Sequence, residues 1–362
     1  MTACSDSLVK AKVTENNAIH EIHSQTVPKK PKNVILLIGD GMGMSAISAG
    51  IYRSNYKLNF ERFPFIGIHK SYSGDNLITD SAAGATAFAC GKKTYNSAIG
   101  VDLDTMPCKT ILEYAEDNGL ATGMVVTSTI VHATPAGFIA HRKHRDLYED
   151  IALDFLQDEI DFFIGGGKKY FDRRKDDRNL ITELQKKGYD ISDYSQQDIM
   201  DLKPDLNKNF GYFTNDGDPL PASQGRDYEL QATKLALDYL SKKSDKGFFL
   251  MIEGSQIDWG GHANNADYIV SEVQDYDKSI GAVLDWAEKD GETLVVLTAD
   301  HETGGFAINP GSSRDSLVAA FTTTSHTAEM IPVFAFGVGA EQFCGMYENT
   351  AIFDKIKALL GF

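Results

Sequence analysis

No apolar run in this 362-residue chain approaches the roughly 18 residues that a membrane-spanning helix needs. None of its four cysteines, Cys4, Cys90, Cys108 and Cys344, forms a CxxC pair, which argues against a zinc–thiolate site. One disulfide can form among them, and spacing alone does not say which. Positive charge is also scarce: 35 Lys and Arg face 51 Asp and Glu, for a net charge of −16. Without a basic field, nucleic acid and anionic membrane surfaces are poor partners. An anionic substrate would need local positive charge, most directly from metal ions. There is no GxSxG elbow, so an acyl-transfer triad is not the natural explanation for any serine. Internal repeats and low-complexity tracts are absent as well.

What is present is ordinary for a globular protein: 42% hydrophobic and 24% charged residues. Residues 1–30 are polar and aperiodic and end in Pro28-Lys29-Lys30-Pro31, a composition that reads as a flexible tether. Within it, Thr2-Ala3-Cys4-Ser5 is similar to the tail of a bacterial lipoprotein cleavage site, in which case Cys4 carries a lipid anchor.

Residues 31–362 read as a single domain. Val34–Ile38, Met124–Thr127, Phe162–Ile164, Phe248–Ile252, Leu294–Leu297 and Pro332–Phe336 are continuous apolar runs, typical of strands buried on both faces. Helical patterns at about 110–118, 229–242, 267–288 and 353–360 lie between or after them. This alternation predicts an α/β fold with a mostly parallel central sheet flanked by helices on both faces. Ligands of such sheets bind at the carboxyl ends of the strands. The segment at about 168–228 is highly charged and polar and reads as a peripheral excursion.

Chemistry-bearing residues gather after those runs. Asp40 follows the first, Thr134 the second, Glu253 the fourth, and Asp300-His301 the fifth. Glu253, Asp258 and His262 offer three ligands within ten residues, and Gly260-Gly261 suggests a loop for the last two. His326 stands in a polar stretch before the last run; alone it reads as an exposed histidine. Ser81 precedes Ala82-Ala83-Gly84-Ala85-Thr86, a small-residue helix start that lets a substrate approach and favours a developing alkoxide. A plain N-cap is the simpler reading of a lone serine there. His20, His23, His69, His141 and His144 have no such settings and read as surface or supporting residues. Together, seven oxygen and imidazole ligands plus one serine make the inventory of a multi-metal phosphoryl-transfer site.

From about Pro31 onward the chain resembles the alkaline phosphatase family. The resemblance rests on six segments in order: Gly39-Asp40-Gly41-Met42-Gly43, Thr79 to Thr86, His132-Ala133-Thr134-Pro135, Glu253 to His262, Thr298 to Thr303, and Ser325-His326-Thr327. It implies two Zn2+ and one Mg2+. Asp258, His262 and His326 would hold one zinc. Asp40, Asp300 and His301 would hold the other, with Ser81 as its alkoxide. Asp40, Thr134 and Glu253 would hold magnesium. Arg145 would clamp the phosphate, with Arg142 as the fallback. Three divalent cations carry about +6, and four carboxylates with the alkoxide about −5. Adding Arg145 leaves about +2, which balances a phosphomonoester dianion.

The implied reaction is hydrolysis of phosphate monoesters to an alcohol and phosphate, through a phosphoserine on Ser81. The implied location is periplasmic or cell-surface. His132 stands where some relatives carry Asp, and Trp259 where some carry Lys. Both are expected beside the metals rather than on them, and His132 should weaken the magnesium site. Only 20 residues separate Gly305 from His326, so the crown subdomain inserted there in many relatives is minimal. That subdomain commonly covers the interface of a homodimer, which leaves the homodimer open here. Two other activities compete. A phosphodiesterase or another member of the superfamily would share the ligands, although the CxPxR context of sulfatases is absent and diesterases tend to use Thr. A non-catalytic phosphate- or metal-binding protein would need no nucleophile.

Overall fold

The computed structural model describes residues 30–157 and 159–362. Cys4, His20, His23 and nearly all of the expected tether lie outside the described residues. In chain order the strands are β1 Asn33–Gly39, β2 Phe65–Lys70, β3 Ala121–Thr129, β4 Phe162–Gly166, β5 Tyr189–Asp193, β6 Asn209–Phe213, β7 Phe248–Gly254, β8 Thr293–Thr298, the two-residue strands β9 Glu302–Thr303, β10 Ala307–Ile308, β11 Ala319–Ala320 and β12 His326–Thr327, then β13 Ile331–Gly337 and β14 Gly345–Glu348. Ten of them form one sheet, ordered β14-β2-β13-β8-β1-β7-β3-β4-β6-β5. Only β13 runs antiparallel to its neighbours.

Each apolar run supplies both cores at once. On β1, Val34, Leu36 and Ile38 pack into one apolar cluster, while Ile35 and Leu37 pack into the other. Helices cover both faces, including Ser81–Cys90 on the first side and Ala266–Asp290 on the second. No described helix is long and apolar enough to cross a membrane.

The segment 168–228 departs from expectation. It lies at the edge of the sheet but is not outside it, because it contributes β5 and β6. On β5 buried and half-exposed positions alternate, as an edge strand with one wet face requires, so no continuous apolar run marks it. A second departure is Gln256–His262, which is helical rather than a loop. Its glycines serve close approach: a Cβ on Gly260 would sit 2.8 Å from Ile269, and one on Gly261 2.7 Å from the Thr303 carbonyl.

The small residues after Ser81 have a related purpose. Helix Ser81–Cys90 is buried along its whole length. A Cβ on Gly84 would lie 2.9 Å from the Asp300 Cβ, so the helix is pressed against the end of β8. Gly84→Val should therefore cost about 1–3 kcal/mol of stability through overpacking, read as a lowered urea midpoint. An unchanged midpoint would show that the helix can move away from Asp300.

Candidate active site

Strand register builds the site. Ile38 of β1 pairs with Glu253 of β7 on one side and Thr298 of β8 on the other. The three strands end level, so Asp40, Glu253 and Asp300-His301 emerge along one edge. The neighbouring β3 leads into helix Ala133–Ile139, which carries Thr134. Ser81 opens its helix beside them, behind Asp80, whose Oδ1 caps the helix by accepting the Ala83 amide at 3.0 Å. Asp40, Ser81, Thr134, Glu253, Asp300 and His301 are all buried.

Three ligand groups result: Asp258 with His262 and His326, Asp40 with Asp300 and His301, and Asp40 with His132 and Glu253. In the first, His262 Nε2 lies 3.3 Å from Asp258 Oδ2, and the two imidazole Nε2 atoms lie 3.2 Å apart. The outer nitrogens are tied to backbone: His262 Nδ1 to the Thr324 carbonyl at 2.7 Å and His326 Nδ1 to the Thr79 carbonyl at 2.9 Å. Both contacts aim Nε2 inward, the arrangement that holds imidazoles for a metal. In the second group, His301 Nε2 is 3.2 Å from Asp300 Oδ2. Ser81 Oγ reaches into this group, 3.2 Å from His301 Nε2 and 3.4 Å from Asp40 Oδ1.

Hydrogen bonding leaves part of this cluster unpaired. Asp40 Oδ2, Asp300 Oδ2, Glu253 Oε1, Thr134 Oγ1 and His132 Nδ1 are buried and make no hydrogen bond, and Asp300 Oδ2 has only its ion-pair contact with His301. Buried polar atoms are ordinarily satisfied, and divalent cations fit these acceptors by charge and by donor type. Titration behaviour agrees. Burial, then the charge of Asp300, drives the Asp40 carboxyl well above its usual range. Burial, then Asp258, raises Asp300 to about 6, and burial raises Glu253 to about 8. Asp258 moves the other way, because the hydrogen bond from His262 and the charges of the surrounding imidazoles outweigh its burial. His262 is in turn raised to about 9, chiefly by that hydrogen bond. Burial and the neighbouring His326 lower His301.

The two arginines separate clearly. Arg145 reaches the site: its Nη1 donates to Asp80 Oδ2 at 3.1 Å, and its Nη2 lies 3.4 Å from His132 Nε2. Arg142 instead bonds the Asp150 carbonyl and Asp154, and its backbone pairs with Ile99. Trp259 meets His132 edge-on, with ring centroids 6.2 Å apart. A ring nitrogen of His132 lies within 4.8 Å of carboxylate oxygens of Asp40 and Glu253. His69, read as a surface or supporting residue, is buried on β2, with Nε2 3.0 Å from the carbonyl of Ala299. Sequence reasoning overlooked Asp80, Glu302 and Thr303. Thr303 Oγ1 donates to Asp258, and Glu302 accepts from Thr327 Oγ1 and from the Gly305 and Phe306 amides. Their signal was membership of the segments Thr79 to Thr86 and Thr298 to Thr303, in which only Ser81, Asp300 and His301 were given roles.

Comparison with known proteins gives a consistent result. The family model described as alkaline phosphatase matches residues 31–318. Alkaline phosphatase 3 of Bacillus subtilis is 42% identical over 320 residues, covering 84% of this chain and 67% of the relative. The solved alkaline phosphatase of the Antarctic bacterium TAB5 is 45% identical with a TM-score of 0.87, covering 92% of this chain and 99% of that one. A His-to-Asp mutant of that protein, solved with Mg bound in its M3 site, has the same TM-score and coverage at 44% identity.

Metals must displace protons from carboxyls raised to about 6 and about 8. Both groups are protonated below those values and free above them, so divalent-ion affinity should rise as pH increases from 6 to 8. Chelator-competition titrations at a pH series check this. Affinity that is flat across the window would place the ions elsewhere.

Proposed function

The chain belongs to the alkaline phosphatase family, and on that premise we propose how its residues share the hydrolysis of phosphate monoesters. The observation that carries the proposal is Ser81 Oγ standing between Asp40 and His301, within the Asp40–Asp300–His301 ligand group.

Asp258, His262 and His326 would hold one zinc, and Asp40, Asp300 and His301 a second, with Ser81 Oγ beside it. Asp40, Thr134 and Glu253 would hold magnesium. Bound there, the ions would supply Lewis acidity, lowering the pKa of the Ser81 hydroxyl and neutralising charge on the phosphoryl and leaving oxygens. Ser81 attacks phosphorus in line, the bond to the ester oxygen breaks, and the alcohol leaves with a proton. Water then cleaves the phosphoserine and returns the Ser81 hydroxyl. The N-terminal end of the Ser81 helix favours the alkoxide through its dipole. Arg145, oriented by Asp80, presents the rest of its fork to the phosphoryl oxygens.

His132 bears on the third ion. An imidazole in a carboxylate group suits zinc better than magnesium, which prefers oxygen. We therefore propose that magnesium binds weakly here and that zinc competes for the same position. The magnesium-bound His-to-Asp mutant of the Antarctic enzyme supports that reading. Export from the cytoplasm and a lipid on Cys4 belong to the same proposal, supported by Thr2-Ala3-Cys4-Ser5. A homodimer does too, and light scattering decides it.

The first test is hydrolysis of p-nitrophenyl phosphate at alkaline pH before and after chelation, with zinc and magnesium restored separately. Activity should vanish on chelation, return with zinc, and rise further with magnesium. No turnover with ions demonstrably bound would favour a diesterase or a non-catalytic binder. Ser81→Ala with metals retained should lose on the order of 10³-fold or more in kcat. Arg145→Ala should lose ~10²-fold in kcat/KM. His132→Asp should lower the half-activating magnesium concentration by ~10-fold. An unchanged magnesium response would remove His132 from the site.

A further inference from the structure

Away from the ligand groups, two cysteines meet behind the helix that carries Ser81. Cys90 is the last residue of that helix, and Cys108 follows the turn that Val101 and Pro107 close by a backbone bridge. Both thiol residues are buried, at 5% and 8% exposure, in the same apolar cluster. Cys90 Sγ donates to the Cys108 carbonyl at 3.2 Å, and Cys108 Sγ donates to the Met106 carbonyl at 3.7 Å.

The surrounding backbone holds the pair in place. Thr86 Oγ1, one helical turn before Cys90, donates to the Ala98 carbonyl at 3.2 Å and accepts the Gly100 amide at 3.0 Å. Thr86 and Cys90 are spaced i, i+4 and share a helix face. The Cys108 amide donates to the Gly100 carbonyl at 2.9 Å. The segment from Ala98 to Cys108 is therefore already stitched to the helix at Thr86, and Cys90 faces its far end.

We propose that Cys90 and Cys108 form a dithiol that oxidises to a disulfide, clasping the C-terminal end of the Ser81 helix to the Ala98–Cys108 turn. Cys344, exposed just ahead of β14, stands apart from it.

The two thiols differ in the way thiol–disulfide exchange needs. The adjacent Cys90 thiol, with Lys92 and His141 nearby, lowers the Cys108 thiol against its burial and the charge of Asp102. The neighbouring Cys108 thiol and burial raise Cys90. A cavity of about 700 Å³ lies on the surface next to this turn, lined by Pro107, Lys109 and His141 and by the acidic Glu113, Glu116 and Asp117. Cys108 is thus the more acidic of the two thiols and the one assigned the attack. With a small-molecule disulfide such as oxidised glutathione, Cys108 Sγ attacks one sulfur and releases one thiol. Cys90 Sγ then loses its proton and attacks Cys108 Sγ, releasing the second thiol. Two protein thiols are oxidised, and two electrons and two protons reduce the reagent to two thiols.

The test uses the full chain carrying Cys4→Ser and Cys344→Ser, metal-loaded and native, incubated with oxidised glutathione and digested without reduction. A cross-linked Cys90–Cys108 peptide is expected, lighter by two hydrogens than the sum of its parts. The oxidised protein should melt roughly 5 °C above the reduced one. Cys90→Ala in the same background should keep phosphatase activity and lose both the cross-link and the shift. The proposal fails if both thiols stay free in the native protein, or if Cys108 stops at the glutathione adduct. It fails equally if the link forms only in urea, or forms without a rise in melting temperature.

Discussion

Four carboxylates, Asp40, Glu253, Asp258 and Asp300, are buried in one small volume, and the rest of the site follows from that constraint. Two unit charges about 4 Å apart repel by about 4 kcal/mol even at an effective dielectric of 20. Arg145 alone cannot offset four of them. Protonation can relieve the strain, which is what the raised Asp40, Asp300 and Glu253 express. Divalent cations would relieve it without giving up the charge, and would bring positive charge to where a phosphate monoester must bind. The acidic composition of the chain as a whole is thus compatible with an anionic substrate, because the surface charge is not what the substrate meets.

Holding such a cluster demands a rigid frame. The level ends of β1, β7 and β8 provide it, with each strand packed on both faces. The Ser81 helix then has to approach closely, and its run of Ala and Gly permits this against the end of β8. Asp80 links the parts. One oxygen caps the helix, and the other accepts both the Ser97 amide and Arg145. Ser81 and the Arg145 guanidinium are therefore positioned by the same carboxylate.

Much of this was legible in the residues themselves. Strands buried on both faces announce themselves as unbroken apolar runs, so β1, β3, β4, β7, β8 and β13 could be read directly, and with them the edge where Asp40, Glu253 and Asp300 gather. β5 was hidden because its alternating pattern reflects one exposed face. The helix at Gln256–His262 was hidden because its two glycines look like a turn and in fact make room for Ile269 and Thr303. The grouping of His132 with Asp40 and Glu253 depends on how the end of β3 approaches β7, which no local spacing encodes. Glu302 and Thr303 were missed for a similar reason: their partners, Thr327 and Asp258, are remote in sequence.

The ribbon of β9 and β12 has a consequence for how such a chain can change over time. His326 is set by pairing with Thr303, and Thr327 by pairing with Glu302. The chain between these strands leaves and returns at neighbouring points. Closing a longer excursion there costs little more than closing a short one, since the entropy grows only with the logarithm of its length. Material can therefore be gained or lost between Gly305 and Ser325 while the imidazole keeps its address, and the growth of peripheral structure is uncoupled from the preservation of chemistry.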